Sequence, residues 1–305
     1  MQTTLKSDVT FDGIGLHSGR AARLTLRPAP ADHGIVFRRV DQAGQGIDLP
    51  ALWDHVEISP LNTRLRVGNT TVSTIEHLMA ALAGCGVHNA LVEIDGPEVP
   101  IMDGSSVDFV RGIVGAGLRR MLPAMQAIKI LDEVRVTQGD AWASLRPATS
   151  LQIDFDIDFA DAAIGRQSKT LNMANGSFVH ELCDSRTFCR NADVEAMRAQ
   201  GLALGGTIEN AVVVDKDRVL TPGGLRHADE AVRHKMLDAL GDLYTAGAPI
   251  LGRYTGHKAG HNLTNALLRA LFDRPEAWRM VTCSDQIAAR LPGHGVTRHD
   301  LFAVA

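Results

Sequence analysis

Short apolar runs broken by Gly, Pro, Asn and Asp open the chain. ARLTLRPA (22–29), GIVFRRV (34–40), TRLRVGN (63–69) and ALVEIDG (90–96) alternate or run apolar between those breakers, which is the pattern of strands. Inside this stretch the period changes at STIEHLMAALAGCG (73–86). There Ile75, Leu78, Met79 and Leu82 fall at i, i+3, i+4 and i+7 and predict a helix, with Ser73 and Glu76 reading as a capping box and Gly84 as the stop. SSVDFVRGIVGAGL (105–118) is a second piece with helical period.

Near Pro123 the pattern restarts. AIKILDEVRVTQGDAWASLRP (127–147) reads as two strands joined by a Gly-Asp turn, and LQIDFDIDF (151–159) alternates at period two. A short helix follows at 193–201, then a hairpin at 210–220, a helix at 231–243, a short strand at 249–256 and a helix at 262–273. Each half mixes strands and helices without regular βαβ alternation, which predicts an α+β fold. At 305 residues the chain divides better into two domains than one, with the boundary between 120 and 127, giving domains 1–124 and 125–305 and a cleft between them.

The helix at 231–243, AVRHKMLDALGDL, carries the first chemistry. Val232, Met236, Leu240 and Leu243 line one side; His234, Asp238 and Asp242 climb the other, four residues apart. Taken alone that face reads first as solvated, yet i, i+4 spacing also lets two side chains reach one ion, so part of a metal site is the alternative. The helix at 73–86 offers His77 as a third donor with Glu76 beside it, although polar residues at a helix start also serve simply as caps. Two histidines and a carboxylate with a position left for water is the donor set of catalytic zinc hydrolases. Such chemistry also needs an acid for the leaving group, and His257 and His261 are both candidates.

Charge and cysteines narrow the class. A net charge of −4 without any Lys/Arg run excludes a nucleic-acid surface. The start of the chain lacks the basic head and apolar run of a secretory signal, and no stretch of 18 or so apolar residues occurs, so no transmembrane segment is expected and the protein reads as cytosolic. Cys85, Cys183, Cys189 and Cys283 form no CxxC pair and read as small buried residues. The glycine-rich segments at 13–19, 101–106 and 201–214 match no phosphate-loop pattern and, taken singly, are turns.

Taken together the segments resemble the UDP-3-O-acyl-N-acetylglucosamine deacetylase family, the zinc enzymes of lipid A synthesis in Gram-negative bacteria. The resemblance rests on GIGLHSG (13–19), LRPAP (26–30), STIEHLMAALAG (73–84), PEVPIMDGSS (97–106), SRTF (185–188), GLALGG (201–206), VRHKMLDALGDL (232–243) and GHKAGHN (256–262), in the family's order. It implies that His77, His234 and Asp238 hold Zn²⁺, that Glu76 is the general base, that His261 oriented by Asp242 is the acid, and that Thr187 helps stabilise the oxyanion. Fe²⁺ suits the same donors. Lys235, Lys258 and His17 match positions that face the nucleotide diphosphate and hexosamine. Phe188, Val194, Ala203, Thr207 and Ala211 match the lining of a passage for the acyl chain, built by an inserted strand-and-helix segment. Cys189 after the Phe and the small Ala203 depart from the family pattern and bear on chain length.

The implied fold is a pair of similar α+β domains, a β-α-α-β sandwich with the helices packed centrally and the site at the junction. The implied substrate is an acylated UDP-sugar, hydrolysed to the free amine and acetate by a cytoplasmic monomer that touches the membrane surface only transiently. A zinc amidase acting on a different acylated sugar, and a pseudoenzyme that binds without turnover, are the alternatives. The latter has no physical need to keep all seven of Glu76, His77, Thr187, His234, Asp238, Asp242 and His261.

Overall fold

A computed structural model describes residues 1–42 and 46–300. Its N-terminal half is built on a five-stranded sheet ordered Val9–Ile14, Ala21–Pro28, Ala90–Ile94, Ile35–Arg39 and Ile47–Pro50, antiparallel except where Ile35–Arg39 runs parallel to Ala90–Ile94. Alternate residues of these strands, Phe11, Leu24, Leu26, Phe37, Leu49, Val92 and Ile94, turn inward and are buried. Helices α1 (Glu76–Cys85) and α2 (Val107–Ala116) belong to this half; Phe109 of α2 meets Phe11 edge-on at 5.0 Å.

The C-terminal half carries a seven-stranded sheet. Val134–Gln138, Ala141–Pro147, Ile250–His257, Gln126–Ile130 and Trp278–Thr282 form its path, and Gln152–Asp158 joins it beside Ile250–His257 with Arg166–Asn172 outside. Five further helices follow in this half among the described residues: α3 (Ser177–Glu181), α4 (Asn191–Ala199), α5 (Glu230–Tyr244), α6 (His261–Phe272) and α7 (Asp285–Ala288). α5 and α6 pack on the large sheet, and α5 packs on α1. The two sheets therefore flank a double layer of helices, and the fold is α+β, as the mixed pattern predicts.

The α1–α5 contact is a backbone contact. A Cβ on Gly241 of α5 would lie 2.0 Å from the Glu76 carbonyl oxygen, so only glycine lets the helices approach this closely. Gly84 is likewise pressed against the Phe178 ring of α3, and the stop of α1 is instead Gly86, in the left-handed conformation at φ 73°.

Several expected features differ in detail. Ser73 and Glu76 do not form a capping box: α1 is capped by Ile75 without a side-chain bond, the Ser73 hydroxyl accepts from Arg64 Nε, and the Glu76 carboxylate accepts from the Thr63 N–H. The chain enters the helix through Thr74 at φ 56°, which changes the offset a capping box needs. The segment 127–147 holds three strands, because Gln126–Ile130 pairs with Ile250–His257 and not with its sequence neighbour. Arg166–Asn172 was not legible as a strand: RQSKTLN is a polar edge with no buried residue. Cys85, Cys183 and Cys283 are buried free thiols, while Cys189 is half-buried.

Candidate metal centre

Where α1 crosses α5, the polar residues of both helices face each other inside the protein. Glu76, His77, His234, Asp238 and Asp242 are only 2–4% exposed. The polar side of α5 is thus no solvated face; both of its sides are buried, one against the sheet and one against α1.

One ligand atom from each of His77, His234 and Asp238 lies within 4.8 Å of the others. Asp238 Oδ1 is 3.3 Å from His234 Nε2 and 3.6 Å from His77 Nε2, and the two imidazoles meet edge to face at 4.9 Å. Neither contact has hydrogen-bond geometry: Asp238 Oδ1 and His77 Nδ1 are buried without a hydrogen-bond partner among the described residues. The arrangement of donors fits a divalent cation, which would satisfy the Asp238 oxygen that no hydrogen bond satisfies and draw on the two imidazole Nε2 atoms that face it. Supporting bonds orient them. His234 Nδ1 is 3.0 Å from the Ser185 carbonyl, which turns Nε2 toward the cluster, and Asp238 Oδ2 accepts from Lys235 Nζ at 2.8 Å. The Ser106 hydroxyl donates to the His77 carbonyl at 2.8 Å and ties α2 to α1. Burial pushes His234 down to about 4, so it stays neutral. Burial works against the Asp238 charge, yet His234 and Lys235 hold its carboxyl well below the usual range.

Next to these donors stands a proton-handling set. His261, the first residue of α6, places Nδ1 2.9 Å from Asp242 Oδ2 and Nε2 3.9 Å from Glu76 Oε1 and from Asp238 Oδ2. Burial alone would lower its pKa, but Asp242 and Glu76 outweigh it and raise the imidazole to about 9. Burial raises Glu76 to about 7 against the pull of His261 and His77. A carboxylate near neutrality beside a charged imidazole can accept one proton and deliver another.

The other expected residues are placed as follows. His17 is buried, its N–H donates to Glu98 Oε1 at 2.8 Å and its Nδ1 accepts from the Ala203 N–H at 3.3 Å; Nε2 has no partner among the described residues. Burial lowers its pKa, opposed by Glu98 and reinforced by the charge of His261, which puts His17 within electrostatic range of that imidazole. Thr187 is half-buried, with its N–H on the Gly104 carbonyl at 2.7 Å. Phe188 packs edge-on against His234 at 6.3 Å and against Phe159 at 5.4 Å. It opens a strand, Phe188–Arg190, paired in parallel with Val212–Asp215 next to the buried Ala211. Val194 lies half-buried on α4, Ala203 sits at φ 53° in the following loop, and Thr207 is exposed there. Lys235 turns its ammonium onto Asp238, and Lys258 pairs with Asp140 and Asp158, so neither ammonium is free in this state.

Two residues were missed by sequence reading. Thr63 touches both Glu76 and Asp242, and the buried Glu98 carboxylate gathers the His17 and Ser18 N–H groups and the Thr74 hydroxyl at 2.7–2.8 Å. Both bind across long chain separations, for which no local pattern exists.

An enclosed His-His-Asp donor set with a carboxylate and a histidine–aspartate pair at its side is the equipment of a metal-dependent hydrolase. Comparison with known proteins narrows the class. The model of the LpxC family, UDP-3-O-acyl N-acetylglycosamine deacetylase, matches residues 2–273, and the chain belongs to that family. The UDP-3-O-acyl-N-acetylglucosamine deacetylase of Phenylobacterium zucineum is 51% identical over 94% of this chain and 98% of its own length. Enzymes of the same name from Idiomarina loihiensis and Haemophilus influenzae are 46% and 44% identical, each over 94% of its own length and over 94% and 93% of this chain. No helix among the described residues is long and apolar enough to cross a membrane.

Proposed function

We propose that this chain hydrolyses the acetamide of UDP-3-O-[(3R)-3-hydroxyacyl]-N-acetylglucosamine to the free amine and acetate, the step that commits the sugar to lipid A. His77, His234 and Asp238 would hold Zn²⁺. Bound there, the ion supplies a Lewis acid for the amide carbonyl and an acidified water. The rest of the reaction is carried by the chain's own groups. Glu76 takes the water proton on Oε1, the oxygen that faces His261. The nucleophile adds to the carbonyl carbon, with Thr187 helping to stabilise the developing oxyanion. An amide nitrogen leaves badly as an anion, so His261 Nε2 delivers a proton to it as the C–N bond breaks, while Nδ1 stays bonded to Asp242. Asp242 therefore keeps the imidazole charged and aimed.

For recognition, His17, Lys235 and Lys258 would face the hexosamine and diphosphate; both lysines must then exchange their present carboxylate partners for phosphate. The acyl chain would run past Phe188, Val194, Ala203, Thr207 and Ala211. The observation that supports this reading most is His261 Nε2, 3.9 Å from both Glu76 Oε1 and the donor-cluster oxygen Asp238 Oδ2, with Asp242 behind it on Nδ1.

The test is acetate release from UDP-3-O-(3-hydroxymyristoyl)-N-acetylglucosamine by purified protein, after chelation and after zinc is restored, with UDP-N-acetylglucosamine as the unacylated control. Zinc-dependent turnover of the acylated compound far above the control is the expected result. No turnover with zinc bound would overturn the substrate assignment.

A further inference from the structure

Thr63 spends every polar group it has on the site. It is 4% exposed, at the start of the strand Arg64–Val67, and its N–H donates to Glu76 Oε2 at 3.0 Å. Its hydroxyl donates to Asp242 Oδ1 at 2.6 Å, and its carbonyl accepts from the Ile75 N–H at 3.3 Å. Each carboxylate then has one oxygen fixed by Thr63 and the other turned toward His261: Glu76 Oε1 toward Nε2, Asp242 Oδ2 onto Nδ1. Four residues from four separate segments close a ring, and Thr63 is its one member that carries no charge.

We propose that Thr63 is a positioning residue that fixes the proton acceptor Glu76 relative to the Asp242–His261 pair, a role that rests on the reading of those residues given above. A carboxylate held at one oxygen only can rotate about its last bond. With the hydroxyl gone, Asp242 would be held by His261 alone, and the imidazole would lose the fixed direction in which Nε2 points. The Glu76 contact is made by the Thr63 backbone, so it survives any side-chain change. The two halves of the role are therefore separable by mutation.

Thr63→Val keeps the shape and the N–H while deleting the hydroxyl. The expected result is a fall in kcat of about 10- to 100-fold with KM within about twofold of wild type and zinc content unchanged. Thr63→Ser, which keeps the hydroxyl, regains most of kcat. In an Asp242→Asn background the valine substitution costs far less than in the wild type, because the two residues act through one bond. Wild-type turnover in Thr63→Val, a change in KM alone, or an undiminished loss in the Asp242→Asn background would each overturn the role. If the valine variant fails to fold by its thermal melt, Thr63→Ala against Thr63→Ser carries the same comparison. The wild-type rate separates this from the functional reading: an inactive wild type with zinc bound refutes the reaction, whereas an active wild type matched by Thr63→Val refutes only the positioning.

Discussion

Asp242 meets His261 through one oxygen and Thr63 through the other, and its charge is what allows a buried imidazole to remain protonated. The consequence for rate follows from which form works. In the proposed roles His261 acts while it carries a proton, so activity is lost as pH rises through its pKa; Glu76 acts once deprotonated, so activity is gained as pH rises through its own. The profile is therefore a bell, with groups at about 7 and about 9 before a cation binds. A divalent cation at the neighbouring donors adds positive charge and draws both limbs toward lower pH. Asp242→Asn removes an attraction that burial opposes, so the basic limb moves further down and kcat at its optimum falls about a hundred-fold or more. Rates of both proteins across pH at saturating zinc check this. A basic limb that stays in place would separate His261 protonation from Asp242.

At the scale of helices, the site exists because α1 and α5 touch backbone to backbone. Gly241→Ala would put a methyl into the Glu76 carbonyl, and moving the helices apart displaces Glu76 and His77 from Asp238 and Asp242. The expected cost is about 1–3 kcal/mol of stability, with weaker zinc binding. Gly115→Ala in α2 is the matched control: a Cβ there meets nothing within 4 Å, and the gain in helix propensity should stabilise by about 0.5–1 kcal/mol. Denaturant melts of the two variants, with zinc titrations, decide it; equal effects would mean that the close approach is not what limits Gly241. This contact also marks what was legible in the sequence. The helical period exposed His234, Asp238 and Asp242 on one side of a helix and Glu76 and His77 on another. Periodicity says which residues share a face, however, and not what covers it, so a dry interface between helices reads the same as a wet surface. Thr63 had no signal at all, since its partner lies 179 positions away, and the polar edge strand Arg166–Asn172 buries nothing that an apolar count could detect.

Across the whole molecule, the donor cluster joins the two halves of the chain. His77 comes from the helix layer on the five-stranded sheet, His234 and Asp238 from the layer on the seven-stranded one. Without a cation, the contact between the layers holds a carboxylate oxygen, Asp238 Oδ1, that is buried and unsatisfied, which works against the packing around it. A cation that binds the folded chain and not the unfolded one stabilises the whole by linkage, about 4 kcal/mol at a thousand times its Kd. Chelation should therefore lower Tm and zinc restore it. His77→Ala should lose that response, because one donor and one side of the bridge are gone, while its chelated form melts within a few degrees of chelated wild type, since the alanine leaves fewer buried groups in need of a partner. Scanning calorimetry of both proteins with and without zinc reads the difference directly. An equal zinc-induced rise in His77→Ala would mean that the ion binds without α1 and does not bridge the two layers.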